Sequence, residues 1–270
     1  MTRAAFARIA LVLSLALPVY FAVAALGTKF GWWGWQTGLL TLIVTWGPRV
    51  IGLAFVLALL ALIAALVRRP RRGWRSALVA LLIPAVALGY LGYVRSQSAA
   101  IPPIHDIATD VADPPAPSPA LAKARDAAGA NPVAPLDAPL ATLKAYQGPR
   151  FADIARRSIG ELSTTAYPDV RPIRVAATPD AAFDAALAAV RTAGLRVDTA
   201  DRANGRIEAV ATSFWFGFDD DLIVRVRPDG AGSRIDLRSI SRVGLSDLGA
   251  NARRIEGVSA DIRAKLDSAR

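Results

Sequence analysis

The first hundred residues contain no Asp or Glu, and three apolar runs within them, residues 9–26, 50–67 and 76–94, carry no charge at all. At about 1.5 Å rise per residue, each run spans roughly 27–29 Å as a helix, close to the hydrocarbon thickness of a bilayer. A core helix of a water-soluble domain would be shorter or carry a polar stripe, and these segments have none. Three transmembrane helices are therefore expected. The stretch 38–46 is apolar too, which leaves open an earlier start of the second span, or, since Gly47, Pro48 and Arg49 break it, an interfacial or re-entrant piece.

The formal charge of +10 has the same origin. Ten Lys and Arg lie in this acid-free window, and the other 22 balance 22 Asp and Glu, all from Asp106 onward. The basic total thus reflects membrane topology, and nucleic acid is not expected as a partner. Arg3 and Arg8 precede the first run, while Arg68, Arg69, Arg71, Arg72 and Arg75 crowd the loop before the third. By the positive-inside rule the N-terminus and that loop are cytoplasmic. The C-terminal part then faces the periplasm of a multi-pass protein of the bacterial inner (plasma) membrane. Trp32, Trp33, Trp35, Trp74, Tyr90 and Tyr93 suit interfacial anchoring. The first run exceeds the usual length of a cleaved signal sequence, about 7–15 apolar residues, so a retained span is favoured over cleavage.

The organisation expected is an anchor over residues 1–97, a Pro/Ala-rich extended linker over 98–145, and a compact domain over 146–270. Six prolines between Pro102 and Pro119 give the linker its polyproline character. His105, the one histidine, stands beside Asp106. With no cysteine in the chain, a zinc site is improbable and a docking turn is the plainer reading. Neither a cofactor nor a resident metal is expected.

The C-terminal part reads β-α-β-β-β-β-α. Thr178-Pro179-Asp180 is a helix start and Gly194 its stop. Asn204-Gly205 marks a hairpin, and residues 221–227 and 233–241 alternate apolar and polar. Consecutive strands with tight turns favour an antiparallel sheet with both helices on its apolar face, a two-layer α+β domain.

Two segments are richer than a plain domain requires. F-W-F-G-F-D-D-D, residues 214–221, packs four aromatics and three carboxylates together. R-S-I-S-R-V-G-L-S-D-L-G-A-N, residues 238–251, runs from a strand into a helix N-terminus. The Asp pair before a strand, followed by R-S-x-S-R-x-G-x-S-D-x-G-x-N-x-x-R, resembles the bacterial domain-of-unknown-function family 1499 (DUF1499). Arg238, Ser239, Ser241, Arg242, Gly244, Ser246, Asp247, Gly249, Asn251 and Arg254 fill the pattern. The I-H-D-I-A-T-D and Y-P-D-V-R-P-I segments resemble the branch with N-terminal spans. The resemblance supplies a family name and no established activity.

Two readings of these residues stand side by side. In one, Asp219, Asp220, Arg238, Ser241, Arg242, Asp247 and Asn251 form a site at the helix N-terminus for a small anionic ligand, a lipid or glycan headgroup, or an envelope protein. His105, Asp106 and Trp215 would assist. In the other, the Asp residues pair with the arginines across the hairpin and Asp247 caps the helix. A metal-dependent or carboxylate-based hydrolase at the same place is the enzymatic alternative, for which no nucleotide loop, serine elbow or Cys–His pair speaks.

Overall fold

The computed structural model describes residues 2–67 and 69–268, so Arg68, counted above in the basic loop, lies outside the described residues. The structure divides into two compact units. One is the chain up to Ala100 with Phe214–Gly217, and the other is Ile101–Ser213 with the chain from Phe218 onward.

In the first unit, α1 (Arg3–Lys29), α2 (Gly47–Val67) and α3 (Trp74–Ala99) pack on one another. A π-helical stretch, Gln36–Trp46, runs directly into α2, so Gly47-Pro48 does not break the second span. The wide turn there accommodates a proline that has no N–H to donate. Three helices, Arg3–Lys29, Gln36–Val67 and Trp74–Ala99, are long and apolar enough to cross a bilayer, which marks a membrane protein. Their contact surface is made of small residues: Ala7, Ala10, Ala58, Ala61, Ala77 and Ala80 are buried together. Small side chains let helix backbones approach closely where apolar burial gives no preference over lipid. The buried Ser14 hydroxyl donates to Ala80 O at 2.7 Å, satisfying its one polar group. Val12, Val19 and Val86 are exposed, as lipid-facing residues should be.

The second unit is built on one antiparallel sheet of six strands: β1 (Asp106–Ala108), β2 (Ile173–Val175), β3 (Arg196–Asp201), β4 (Arg206–Thr212), β5 (Asp219–Asp229) and β6 (Gly232–Ser241). Their order is β1-β6-β5-β4-β3, and β2 also pairs with β6. The expected β-α-β-β-β-β-α run is present as β2, α6 (Pro179–Thr192), β3 to β6, and α7 (Ala250–Ser268). Thr178 caps α6, accepting from Ala181 N at 3.3 Å. Gly205 has φ +59, and a Cβ there would stand 2.1 Å from Val226 O, so the β3–β4 hairpin needs glycine. Leu222, Val224, Ile235 and Leu237 face the helices and form the core with Phe183, Val190, Ile255 and Ile262.

The stretch expected to be an extended linker is part of this unit. Ile104, Ile107, Leu136 and Leu140 are buried in the core, and residues 119–127 form a helix, α4 (Pro119–Ala127), capped by Ser118. The unit begins at Ile101 rather than 146. From Asp110 to Ala134 the chain lies as a strap over the sheet face opposite the helices. Leu121 packs there on Ile223 and Ile240. Of residues 234, 236 and 238, whose alternation points them away from the core, Asp236 and Arg238 are buried under the strap and Arg234 is half-buried. Short 3-10 turns, Leu140–Thr142, Lys144–Tyr146 and Pro149–Ile154, lead into α5 (Ile159–Ala166), started by a Ser158/Glu161 capping box.

Candidate functional site

Strand alternation divides the motif residues between the two faces of the sheet. On the strap face, Arg238 holds Asp106 bidentately, Nε at 2.9 Å and Nη2 at 2.7 Å, with both side chains at most 4% exposed. Arg238 also donates to Pro115 O at 3.4 Å and Ala134 O at 3.3 Å in the strap. Beside it, Asp221 is fully buried between two cations: Arg125 of α4, and Arg242, whose Nη2 lies 2.7 Å away. Arg242 also reaches Asp219 at 3.4 Å. The Asp221 carboxylate, first among its neighbours, holds the Arg242 guanidinium still more firmly protonated than usual. Asp236 accepts from Arg225, Arg227 and Arg234, and Asp113 of the strap closes that set through Arg225 and Arg227.

On the helix face, Asn251 is fully buried and uses every side-chain hydrogen-bonding group. Its amide donates to His105 O (3.0 Å) and Ser241 Oγ (2.9 Å). Its oxygen accepts from Ser239 Oγ (2.7 Å) and from Arg254. Arg254 in turn pairs with Asp220 at 2.7 Å and donates to Ser239 at 2.9 Å. Asp247 accepts from Gly249 N and Asn251 N, each at 2.8 Å, and so caps the start of α7. The tight approach needs left-handed backbone at Leu248 (φ +52) and Gly249 (φ +77). Burial raises the Asp247 pKa above the ordinary carboxylate range. Burial likewise lowers that of His105, whose Nδ1 lies 3.4 Å from Leu245 O.

Asp219, Asp221, Arg238 and Arg242 are therefore gathered on one face with Asp106. Asp220, Ser241, Asp247 and Asn251 are gathered on the other with His105. The sheet separates the two groups. Each of these arginines faces at least one carboxylate, and each Asp of β5 has a cationic partner. Among the described residues, no group of three or more His, Cys, Asp or Glu side chains is placed to hold a metal ion. The aromatic segment stands apart: Phe214 and Trp215 are 71% and 54% exposed, stacked edge to face with ring centres 5.3 Å apart.

Sequence reasoning missed a second place in the fold. A cavity of about 330 Å³ is lined by residues 108–112, Ser163, Thr164, residues 170–172 and Arg234. The motifs that border it, I-H-D-I-A-T-D and Y-P-D-V-R-P-I, were visible as motifs. Their meeting was not, because it depends on both running antiparallel to the same strand, β6.

No curated protein and no solved structure matches the chain. The family described as Protein of unknown function (DUF1499) matches residues 106–262, from the first strand nearly to the end of α7. That match takes in the strap, the sheet, both ion-paired clusters and more than half of the sequence, and the chain belongs to the DUF1499 family.

Proposed function

We propose that this is a multi-pass inner-membrane protein of the bacterial envelope whose sheet domain lies in the periplasm and serves as a binding or assembly module. The basic residues beside α1 and before α3 support the orientation, since retained cations keep a loop cytoplasmic. One observation carries the functional reading: the charged motif is neutralised from within. Arg238 and Arg242 are held by Asp106, Asp219 and Asp221, and Asp220 is held by Arg254. Carboxylates whose oxygens face a guanidinium are poorly placed to exchange a proton with a substrate, since the cation occupies the position a substrate would need. The motif acts as a clasp that fixes the strap, sheet and α7 together, and binding falls to surfaces the clasp holds in shape.

A reporter joined after α7 tests the orientation. A phosphatase that folds only outside the cytoplasm is expected to be active there, and a fluorescent protein that matures only in the cytosol is expected to stay dark. The reverse pattern would overturn the periplasmic assignment. Native mass spectrometry of the full chain extracted from its own membrane, with cross-linking before extraction, tests the binding role. A ligand or neighbour retained through the sheet domain is expected. Bare chain with no cross-linked neighbour in every preparation refutes that role.

A further inference from the structure

The outer edge of β6 is covered by two strands laid end to end. β1 pairs with Arg238 to Ile240, and β2 pairs with Ser233 to Ile235, both antiparallel to β6. Opposite Asp236 and Leu237 neither strand is present. Thr109 closes the ladder there: its N–H donates to Leu237 O at 2.9 Å, and its hydroxyl accepts from Leu237 N at 2.9 Å. Beyond Thr109 the first strand turns away and the second enters at Pro172, so the interrupted edge opens into the cavity of about 330 Å³. This volume lies at the lower end of the range for small-ligand sites, about 300–1,000 Å³.

The lining is chemically specific. Val111 and Val170 give it apolar walls. Asp110 contributes no unsatisfied acceptor: one oxygen takes Ala112 N (3.0 Å) and Asp113 N (3.1 Å), and the other takes Arg234. Arg171 differs from the arginines of the clasp. Its Nε donates to Pro168 O at 2.6 Å, which orients the guanidinium, and no carboxylate pairs with it among the described residues. Ser163 is 3% exposed and lines the cavity, and its hydroxyl has no hydrogen-bond partner among the described residues. Water or an occupant of the crevice can reach that oxygen, which is free to bond with either. With Asp110 balanced by Arg234, Arg171 leaves one net positive charge at the opening.

We infer that this crevice binds a small carboxylate, held by the Arg171 fork and the Ser163 hydroxyl, with its apolar body between Val111 and Val170. A guanidinium matches a carboxylate in bidentate geometry, and the two valines favour a short branched aliphatic body over a sugar. The same chemistry has two sources, a free branched-chain acid or the C-terminal residue of a peptide. The inference deepens the binding role proposed above and rests on it.

The test uses the full chain in lipid nanodiscs, titrated by calorimetry and ligand-observed magnetic resonance. The probes are 4-methylpentanoate and N-acetyl-alanyl-leucine, with the C-terminal amide of the latter as control. Saturable binding of at least one acid and none of the amide is expected. Arg171→Ala should weaken binding about tenfold or more and Arg171→Lys less, since Lys keeps the charge and loses the fork. Ser163→Ala should weaken it several-fold without affecting folding. Arg174→Ala, which removes an exposed pair with Asp229 outside the crevice, should leave it unchanged. Tighter binding of the dipeptide assigns a peptide terminus, and tighter binding of the simple acid assigns a free metabolite. No saturation by about 10 mM overturns the crevice site. Binding that survives Arg171→Ala undiminished also overturns it. Neither result touches the broader binding role, which the membrane-extracted protein tests without assuming where a ligand sits.

Discussion

Removing Arg238 alone should be far more damaging than removing it together with Asp106. The pair is almost fully buried, and its two bonds of 2.9 and 2.7 Å are of charge-assisted length. Arg238→Met leaves the Asp106 carboxylate under the strap without a counter-charge, a situation that typically costs about 3–5 kcal/mol. Asp106→Leu with Arg238→Met removes both desolvation penalties, which in comparable pairs returns about 1–4 kcal/mol relative to the ionic version. Against that stand the long bonds to Pro115 O and Ala134 O, which the double variant loses at about 1 kcal/mol each. The double variant should therefore lie within about 2 kcal/mol of the parent, well above the single. Hydrogen exchange of β6 amides in the full-length protein, followed through a urea series, reads the opening free energy of this strand directly. A loss under about 1 kcal/mol for Arg238→Met, or a double variant no better than the single, would refute the claim that the motif is an internal clasp.

Further outcomes follow from other parts of the structure. Asn251→Ala takes away the acceptor of the Ser239 hydroxyl, the donor to the Ser241 hydroxyl and one of the partners of Arg254, while His105 O keeps the Ser241 N–H, and should cost about 2 kcal/mol or more, read as a lowered melting temperature. Gly160→Ala would place a Cβ 2.2 Å from Val111 Cγ1 and 3.0 Å from Leu136 O, so α5 must shift, at about 1–3 kcal/mol by thermal unfolding. Burial lowers the His105 pKa in the folded chain, so the unfolded chain takes up its proton first as pH falls; stability should drop below about pH 6.5, and His105→Gln should flatten that slope. Asp247 acts in the opposite sense at lower pH, because its raised pKa makes the folded state the better proton acceptor above the ordinary carboxylate value. Leu248 is exposed with φ +52, and Leu248→Gly should stabilise the chain by up to about 1 kcal/mol in the same melting assay.

The anchor and the sheet were legible because each rests on a simple period. Eighteen uncharged residues suffice to identify a span, and alternation placed Leu222, Val224 and Val226 opposite Ile223, Arg225 and Arg227. The same alternation already assigned Arg238 and Ser239 to opposite faces of β6, yet their closeness in sequence invited a single site. What decides the matter is the partner each residue meets, and those partners are distant: Asp106 and Arg238 are 132 residues apart, Arg125 and Asp221 are 96. The strap was illegible for a related reason. Its prolines and alanines carry no apolar period, and it is held by carboxylates and arginines contributed by the sheet. Arg206, Arg225 and Arg238 donate to its carbonyls, and Glu208 accepts from Ser118 N and Oγ at 2.7 Å. At Gly47-Pro48 the sequence left two readings open, and the structure takes the earlier start of the second span, because a local π-helical turn absorbs the proline.

The strap also determines where the molecule can be cut. A fragment begun at residue 146, as composition alone would suggest, would expose Glu208, Asp221, Asp236 and Arg238 to water along one whole side of the sheet and remove Ile104, Ile107 and Leu140 from the other. Released from the bilayer ahead of Ile101, the same polypeptide would keep its own lid on, and only that longer piece has the makings of an independently soluble protein.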